Sequence, residues 1–385
     1  MRRMSCIVDL ALRAKQRIPA FAWGYLDGGS GEEGGLRRNR ERLGSILLKP
    51  RFCSGTKPDT STVLLGQSYA QPFGIAPVGM GGLMWPGADL ALANQAKIHR
   101  FPMVASTVSS TSLEDIAEAA GGNAWFQLYA SHKPEINRDL MDRAWKAGIR
   151  VLVITVDVPM AGDRRRDVRN RFILPFRPGL RFLWEVATHP AWAMATLRHG
   201  SPGFPNLARY CGEVDGQTLT AFISAQIKDD LSWDDIRDLR RNWPGKLLIK
   251  GILAPEDAIL ALDAGADGIW VSNHGGRQQD SAPAAVDALA AIRRKIGSDA
   301  VLVMDSGIRS GEDVARARVM GADFIFSGRS FYYGAAAGGA PGAARAVELI
   351  SADLRRTLVQ LGCPSWTELD ARWLWDKGDS PGNHG

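Results

Sequence analysis

The chain repeats one local pattern eight times: a short apolar run rich in β-branched residues, a polar or glycine-rich exit, and then, in most cases, a helical pattern. The runs are Phe73 to Ala76, Met103 to Ser106, Ala124 to Leu128, Val151 to Thr155, Leu247 to Lys250, Gly268 to Val271, Val301 to Met304 and Phe324 to Ser327. Strands this apolar are buried on both faces, which is the condition of a parallel sheet covered by helices. Amphipathic segments such as Pro255 to Ala264 and Gly311 to Met320 supply the cover. Eight such units predict an α/β fold closed into a (β/α)8 barrel, with working residues at the carboxyl ends of the strands. The rival is an open, doubly wound sheet that holds a dinucleotide at a glycine-rich turn. Its support is Gly79-Met80-Gly81-Gly82, which lacks the full glycine spacing and leads to Met84-Trp85-Pro86 where a helix must open.

The 385 residues divide around that repeat as one unit. Residues 1–72 form an N-terminal helical layer, 73–157 and 247–350 the barrel, 158–246 a long insertion after the fourth barrel strand, and 351–385 a C-terminal extension. An insertion of that length is a lid or a binding loop. Within it Phe176, Phe182, Leu183, Trp184, Trp192 and Met194 alternate with Arg177, Arg181, Arg198 and Arg209, and Glu185 is the only acid from 171 to 210. Aromatic and basic residues together can dock a segment on an anionic membrane surface, or the aromatics can pack on the barrel or on another subunit.

Composition narrows the classes. The net charge of +6 is spread thinly, with no basic block of the kind that binds nucleic acid. Cys6, Cys53, Cys211 and Cys363 lie far apart without paired metal-ligand spacing, so a reduced, cytoplasmic protein with no metal is expected. Asp9, Arg13, Lys15 and Arg17 interrupt the apolar run that a signal peptide needs, and no stretch is apolar enough to span a membrane. If the insertion docks, the location becomes the inner face of the plasma membrane.

Chemistry concentrates at strand exits. Val271-Ser272-Asn273-His274-Gly275-Gly276-Arg277-Gln278 joins a titratable base to a cation that can hold a carboxylate through two parallel hydrogen bonds, so an acidic substrate is indicated. The competing reading is a strand-end turn whose His and Arg face water. Asp305-Ser306-Gly307-Ile308-Arg309 and Ser327-Gly328-Arg329 end the last two strands, where barrels of this kind hold phosphate. Lys250 ends an apolar strand and needs a negative or electron-rich partner, while Asp157 could orient a histidine. A structural salt bridge would explain either. Gln127, Tyr129 and Tyr25 also lie at exits, and Arg164 is one of three adjacent arginines that composition does not separate.

Together these motifs resemble the FMN-dependent 2-hydroxy-acid oxidases and dehydrogenases, which include lactate and mandelate dehydrogenases. The resemblance spans nearly the whole chain. It rests on Tyr25-Leu26-Asp27-Gly28-Gly29, Leu36-Arg37-Arg38-Asn39-Arg40, Ala76-Pro77-Val78-Gly79, Trp125-Phe126-Gln127-Leu128-Tyr129, Thr155-Val156-Asp157, Ser272 to Gln278 and Asp305 to Arg309. Leu83-Met84-Trp85-Pro86 and Leu361-Gly362-Cys363-Pro364 look like the mandelate dehydrogenase branch, whereas Pro190-Ala191-Trp192 resembles bacterial lactate dehydrogenases.

The resemblance implies FMN at the barrel mouth, held by Ala76, Pro77, Val78, Ser106, Gln127, Thr155, Lys250, Ser272, Asp305, Gly307, Arg309, Gly328 and Arg329. It makes His274 the base, Asp157 its orienting carboxylate, Arg277 and Arg164 the clamp on the substrate carboxylate, and Tyr25 and Tyr129 hydroxyl donors to the substrate. Val108 and Met160 become pocket residues. The implied reaction oxidises an S-configured, lactate-like or mandelate-like 2-hydroxy acid to the 2-oxo acid, by hydride transfer or through a carbanion. Oxygen, a quinone or a protein acceptor can each reoxidise FMN. Relatives are often homotetramers, which is carried over as an expectation. The unusual Asp163 and Val108 leave room for a flavin enzyme acting on a biosynthetic or peptide-derived substrate. A non-catalytic barrel would require loss of His274, Arg277 or Lys250, and all three are present.

Overall fold

A computed structural model describes the chain except for residues 2, 56, 171–178, 211–225 and 376–385. A short antiparallel hairpin, β1 (Thr62–Leu64) and β2 (Gln67–Tyr69), precedes eight parallel strands. These are β3 (Phe73–Ile75), β4 (Met103–Ser106), β5 (Ala124–Leu128), β6 (Val151–Thr155), β7 (Lys246–Ile252), β8 (Gly268–Val271), β9 (Val301–Met304) and β10 (Phe324–Ser327). Spatial order follows chain order, and β10 pairs back onto β3, so the barrel is closed and has no edge. The open sheet is thereby excluded.

Helices form the outer layer. The N-terminal part carries α1 (Ile7–Arg17), α2 (Ala20–Asp27) and α3 (Gly34–Gly44), and a single turn, α4 (Gly81–Met84), leads into α5 (Ala88–His99). Then follow α6 (Leu113–Ala120) and α7 (Pro134–Lys146), and the insertion holds α8 (Arg165–Arg169), α9 (Leu180–Thr188), α10 (Pro190–His199), α11 (Pro205–Ala208) and α12 (Trp233–Arg241). The last helices are α13 (Pro255–Asp263), α14 (Ala285–Ile296), α15 (Gly311–Val319), α16 (Arg329–Gly338) and α17 (Ala340–Gln360). Serine starts several of them: Ser112, Ser232 and Ser310 each accept a hydrogen bond from the backbone N–H three residues on. At Ser232 the cap is reciprocal, since Asp235 Oδ2 accepts from the Ser232 backbone at 2.8 Å.

The helix α12 corrects one boundary. The stretch 158–246 reads as a single insertion, yet its end is the barrel's own crossover helix, because parallel β6 and β7 must be joined across the outer face. Phe176, Arg177 and Cys211 lie outside the described residues.

The two periods of the sequence make two cores. Alternate strand residues Val104, Trp125, Val153, Leu248, Trp270, Val303, Phe324 and Phe326 fill the cylinder, with Trp270 stacked on Phe326 at 4.1 Å between ring centroids. The intervening residues, among them Ala105, Phe126, Ile154, Ile249, Ile269 and Ile325, pack outward against the helices. The hairpin closes the amino-terminal end: Leu64 and Tyr69 join the inner core, and Tyr69 Oη accepts from Trp125 Nε1 at 3.1 Å.

Candidate active site

The strand period of two fixes what faces the carboxyl-end mouth. Two residues beyond the inward Val104, Trp125, Val153, Leu248, Trp270, Val303 and Phe326 stand Ser106, Gln127, Thr155, Lys250, Ser272, Asp305 and Gly328. Ala76 completes the ring from β3, two beyond Gly74, where a Cβ would come within 2.6 Å of Phe326 Cε1. Each strand thus hands one residue to the floor of the mouth.

That floor is polar and tightly bonded. Lys250, only 3% exposed, donates from Nζ to Ser272 Oγ at 2.9 Å and lies 3.4 Å from Asp305 Oδ2. Ser272 donates onward to Asp305 Oδ1 at 2.6 Å, and Ser306 donates to the same oxygen at 2.7 Å. A buried ammonium beside a carboxylate is tolerated because each offsets the other's desolvation.

His274 stands directly above this network. Its backbone N–H donates to Ser272 Oγ at 3.0 Å, and its Nδ1 lies 3.1 Å from Asp157 Oδ1. Its φ of +57° is a left-handed conformation that a non-glycine residue adopts at a cost, as functional loops often do. Burial pushes the imidazole below its ordinary value, against the pull of Asp157. Burial also acts to raise the Asp157 carboxyl, but the charges of His274 and Lys250 outweigh it and leave the carboxyl low. The resting pair is a neutral imidazole on an ionised carboxylate. Because the carboxylate can only accept, Nδ1 carries the hydrogen and Nε2 is left to take a proton.

Two guanidinium groups converge on Tyr25. Arg277 Nη1 donates to the carbonyls of Tyr25 at 2.6 Å and Gly28 at 3.1 Å. The guanidinium carbons of Arg277 and Arg164 lie 4.9 and 5.7 Å from the Tyr25 ring centroid. Burial, then the like charges of Arg164 and Arg329, pull Arg277 down to about 9. An arriving carboxylate relieves this crowding. Tyr25 Oη donates to the Gly79 carbonyl at 3.3 Å. Burial, and then the negative charge of Asp157, raise the Tyr129 hydroxyl well above its ordinary value, which keeps it a donor.

Among the described residues, Gln127 Nε2, Thr155 Oγ1, Asp157 Oδ2 and Arg164 Nε are buried without hydrogen-bond partners. Native interiors rarely leave such atoms unpaired, so four of them around one mouth mark the place of a polar ligand. The edge of a flavin ring, with its alternating nitrogen and oxygen atoms, fits Gln127, Thr155 and Lys250, and a substrate carboxylate fits Arg164. The phosphate end fits as well. Gly307 has a φ of +91° and no room for a side chain, since a Cβ would stand 2.8 Å from Leu43 Cδ1. The ten-residue helix α16 opens at Arg329, and among the described residues the N–H groups of Arg329 and Ser330 have no backbone partner, while those of Phe331 and Tyr332 donate to the Gly328 carbonyl. Arg309 spends one bond on the neighbouring Ile308 carbonyl at 2.8 Å and makes no other side-chain hydrogen bond among the described residues. Arg329 differs, because it donates to the carbonyls of Leu26, Gly275 and Gly28 at 3.1, 2.8 and 2.8 Å. It staples two loops and adds charge rather than a free fork. Pro77 and Val78 continue the β3 exit, with Val78 Cγ2 2.9 Å from the position of a Cβ on Gly328.

Of the two pocket candidates, Val108 lies at the site, its Cγ2 occupying space that a Cβ on Gly79 would need. Met160 does not: it is 80% exposed, and its carbonyl accepts from Gln278 Nε2 at 3.2 Å. Gln278 received no role from the sequence. Its Nε2 also donates to the Asp157 carbonyl at 2.7 Å, and its Oε1 accepts from Gly162 N at 3.0 Å, so it pins the loop that carries Asp157. Its place next to Arg277 was the available signal. Asn39 is similar, exchanging 2.8 Å hydrogen bonds with Asn273 from within a motif noticed only for its resemblance.

A model of the family described as FMN-dependent dehydrogenase matches residues 14–376. The (S)-mandelate dehydrogenase of Pseudomonas putida is 37% identical over 378 residues, covering 97% of this chain and 94% of its own. An L-lactate dehydrogenase of Bartonella tribocorum is 37% identical over 374 residues, covering 94% of this chain and 97% of its own. Among solved structures, one described as the monotopic membrane protein (S)-mandelate dehydrogenase superposes with a TM-score of 0.92 at 35% identity, covering 97% of this chain and 100% of that one. A mandelate oxidase superposes with a TM-score of 0.80 at 32% identity, covering 97% and 98%.

Proposed function

Because the chain belongs to the FMN-dependent dehydrogenase family, we propose that the residues at the barrel mouth hold FMN beside a small 2-hydroxy acid and remove a proton from that acid. The chain is an FMN-dependent oxidoreductase that converts an (S)-2-hydroxy acid to the 2-oxo acid, lactate-like and mandelate-like acids being the substrates named for its relatives. The observation that carries the assignment of roles is the 3.1 Å contact of His274 Nδ1 with Asp157, set next to two arginines that, among the described residues, lack a carboxylate partner within bonding distance.

Bound FMN supplies the two-electron acceptor. The chain's own residues do the rest. Arg277 and Arg164 bind the substrate carboxylate and fix which face of the α-carbon is presented. Tyr25 and Tyr129 donate to substrate oxygens. His274 Nε2 takes the proton, and Asp157 stabilises the imidazolium that results. Lys250, Gln127, Thr155, Ser106, Ser272 and Asp305 hold the flavin ring and its chain, while Gly307, Arg309 and the start of α16 hold the phosphate. A biosynthetic or peptide-derived substrate is not favoured, since the relatives are named for free hydroxy acids.

The peripheral membrane contact is part of the same proposal. Among the described residues no helix is long and apolar enough to cross a membrane. On α9 and α10, however, Leu180, Trp184 and Leu197 are 87, 70 and 82% exposed. Such a face suits the boundary of a bilayer, where a quinone acceptor would be met. The test of the reaction is anaerobic stopped-flow reduction of the yellow protein by the two enantiomers of mandelate and lactate. Rapid bleaching by an S acid is expected, and its absence with every 2-hydroxy acid tried would overturn the assignment.

A further inference from the structure

Asp167 is a buried carboxylate that the chemistry above does not use. It is the third residue of α8 and only 8% exposed. Its neighbour Arg166 turns away from it, to Asp27 and Glu33 at 2.6 Å each. Among the described residues no hydrogen bond or ion pair reaches the Asp167 side chain. Its Oδ1 lies instead 3.8 Å from where a Cβ on Gly24 would stand, and the next residue, Tyr25, is the one that Arg277 grips by its carbonyl. Arg164, which precedes α8 and accepts the Asp167 N–H on its own carbonyl at 3.0 Å, faces the same tyrosine ring. One carboxylate and two guanidinium groups therefore surround the dipeptide Gly24-Tyr25.

The charges agree with this geometry. Burial pushes the Asp167 carboxyl up, against the pull first of Arg277 and then of Arg164. In return Asp167, like Tyr25, favours the charged form of Arg277 against its burial. Asp27 and Glu33 are already committed, both to Arg166 and Asp27 also to the Tyr333 hydroxyl, each at 2.6 Å.

We propose that Asp167 is the internal counter-ion of the Arg164 and Arg277 pair, a fixed carboxylate that holds the two cations together while the site is empty and weakens their grip on an anionic ligand. It is a positioning residue, since it touches neither substrate nor cofactor, and the proposal rests on the 2-hydroxy-acid reading. Its consequence is easier release of the 2-oxo acid, which keeps the same carboxylate that brought the substrate in.

The experiment titrates oxidised, flavin-loaded enzyme with phenylglyoxylate and with pyruvate, following the perturbed flavin spectrum. In Asp167→Asn the Kd for the better-bound acid should fall by about three- to tenfold, the effect of removing one nearby opposing charge in a partly screened site. The methyl ester of that acid should change by less than about twofold, because it offers no charge to the arginines. An unchanged or weaker Kd for the acid, or an equal shift for the ester, overturns the proposal. Should Asp167→Asn fail to retain flavin, Asp167→Glu and Asp167→Gln give the same comparison between side chains of equal size. Wild-type enzyme that no 2-hydroxy acid reduces would reject the reading beneath; normal reduction with an indifferent Asp167→Asn rejects this inference alone.

Discussion

His274 is a neutral base because burial outweighs its carboxylate partner, and its consequences can be measured separately. Replacing it with Gln keeps the polar bulk but removes the proton acceptor, so flavin binding should persist while the rate of flavin reduction falls by about 10²- to 10⁴-fold. A variant that is reduced as fast as wild type would deny the imidazole its role. The pH profile supplies a second check. A histidine shifted below its ordinary value stays unprotonated to lower pH, and its contribution is lost only as pH falls through the shifted value. The acidic limb of kcat/KM should therefore lie below pH 6.5, the ordinary imidazole value. A limb above it would mean that Asp157, not burial, dominates. At this scale the sequence was informative, since His274, Arg277, Lys250 and Asp305 announce themselves as ionisable residues at the ends of apolar strands. Gln278 and Asp167 do not, because a neutral amide and a single acid in a basic run acquire meaning only from what the fold sets beside them.

At the scale of elements, every barrel strand was legible because burial on both faces leaves an uninterrupted apolar run. Only its limits moved: β3 stops at Ile75, and β7 extends from Lys246 to Ile252. The insertion was less legible. Its aromatic residues divide between two environments that composition cannot distinguish. Phe182 and Trp192 pack on Phe21 with ring centroids 5.4 and 5.6 Å apart, and Trp192 Nε1 donates to the Leu83 carbonyl at 2.9 Å. Glu185 fastens α9 from the same side, accepting the Ala20 N–H at 2.9 Å. With one face tied down, Trp184, Leu183 and Leu197 point away from the barrel and remain exposed. If that face docks on lipid, wild-type protein should sediment with vesicles containing anionic phospholipid, and Trp184→Asp combined with Leu197→Asp should stay in the supernatant while still oxidising substrate with a soluble dye as acceptor. Equal sedimentation of the two proteins would assign the face to another purpose.

For the whole molecule, the N-terminal layer and the barrel act as one body. Arg329 bonds to carbonyls of Leu26 and Gly28 as well as Gly275, and Asp280 accepts the backbone N–H groups of Glu32 and Gly35 at 3.0 and 2.8 Å. The order of the barrel was readable from the repeat, whereas this roof was not, because its contacts run from single side chains to backbone groups about 250 residues away, a separation over which no local pattern extends. At the opposite end Tyr69 and Leu64 stopper the cylinder, with Tyr69 Oη held both to Trp125 and to Gln67 Oε1 at 2.8 Å. With the foot corked, the way the described residues leave to the working groups is the carboxyl-end mouth. Reductant and oxidant must then queue for one vestibule, the spent acid leaving before the electron carrier takes its turn. Double-reciprocal plots at several acceptor concentrations should accordingly run parallel, and lines that meet would require a second passage through the wall.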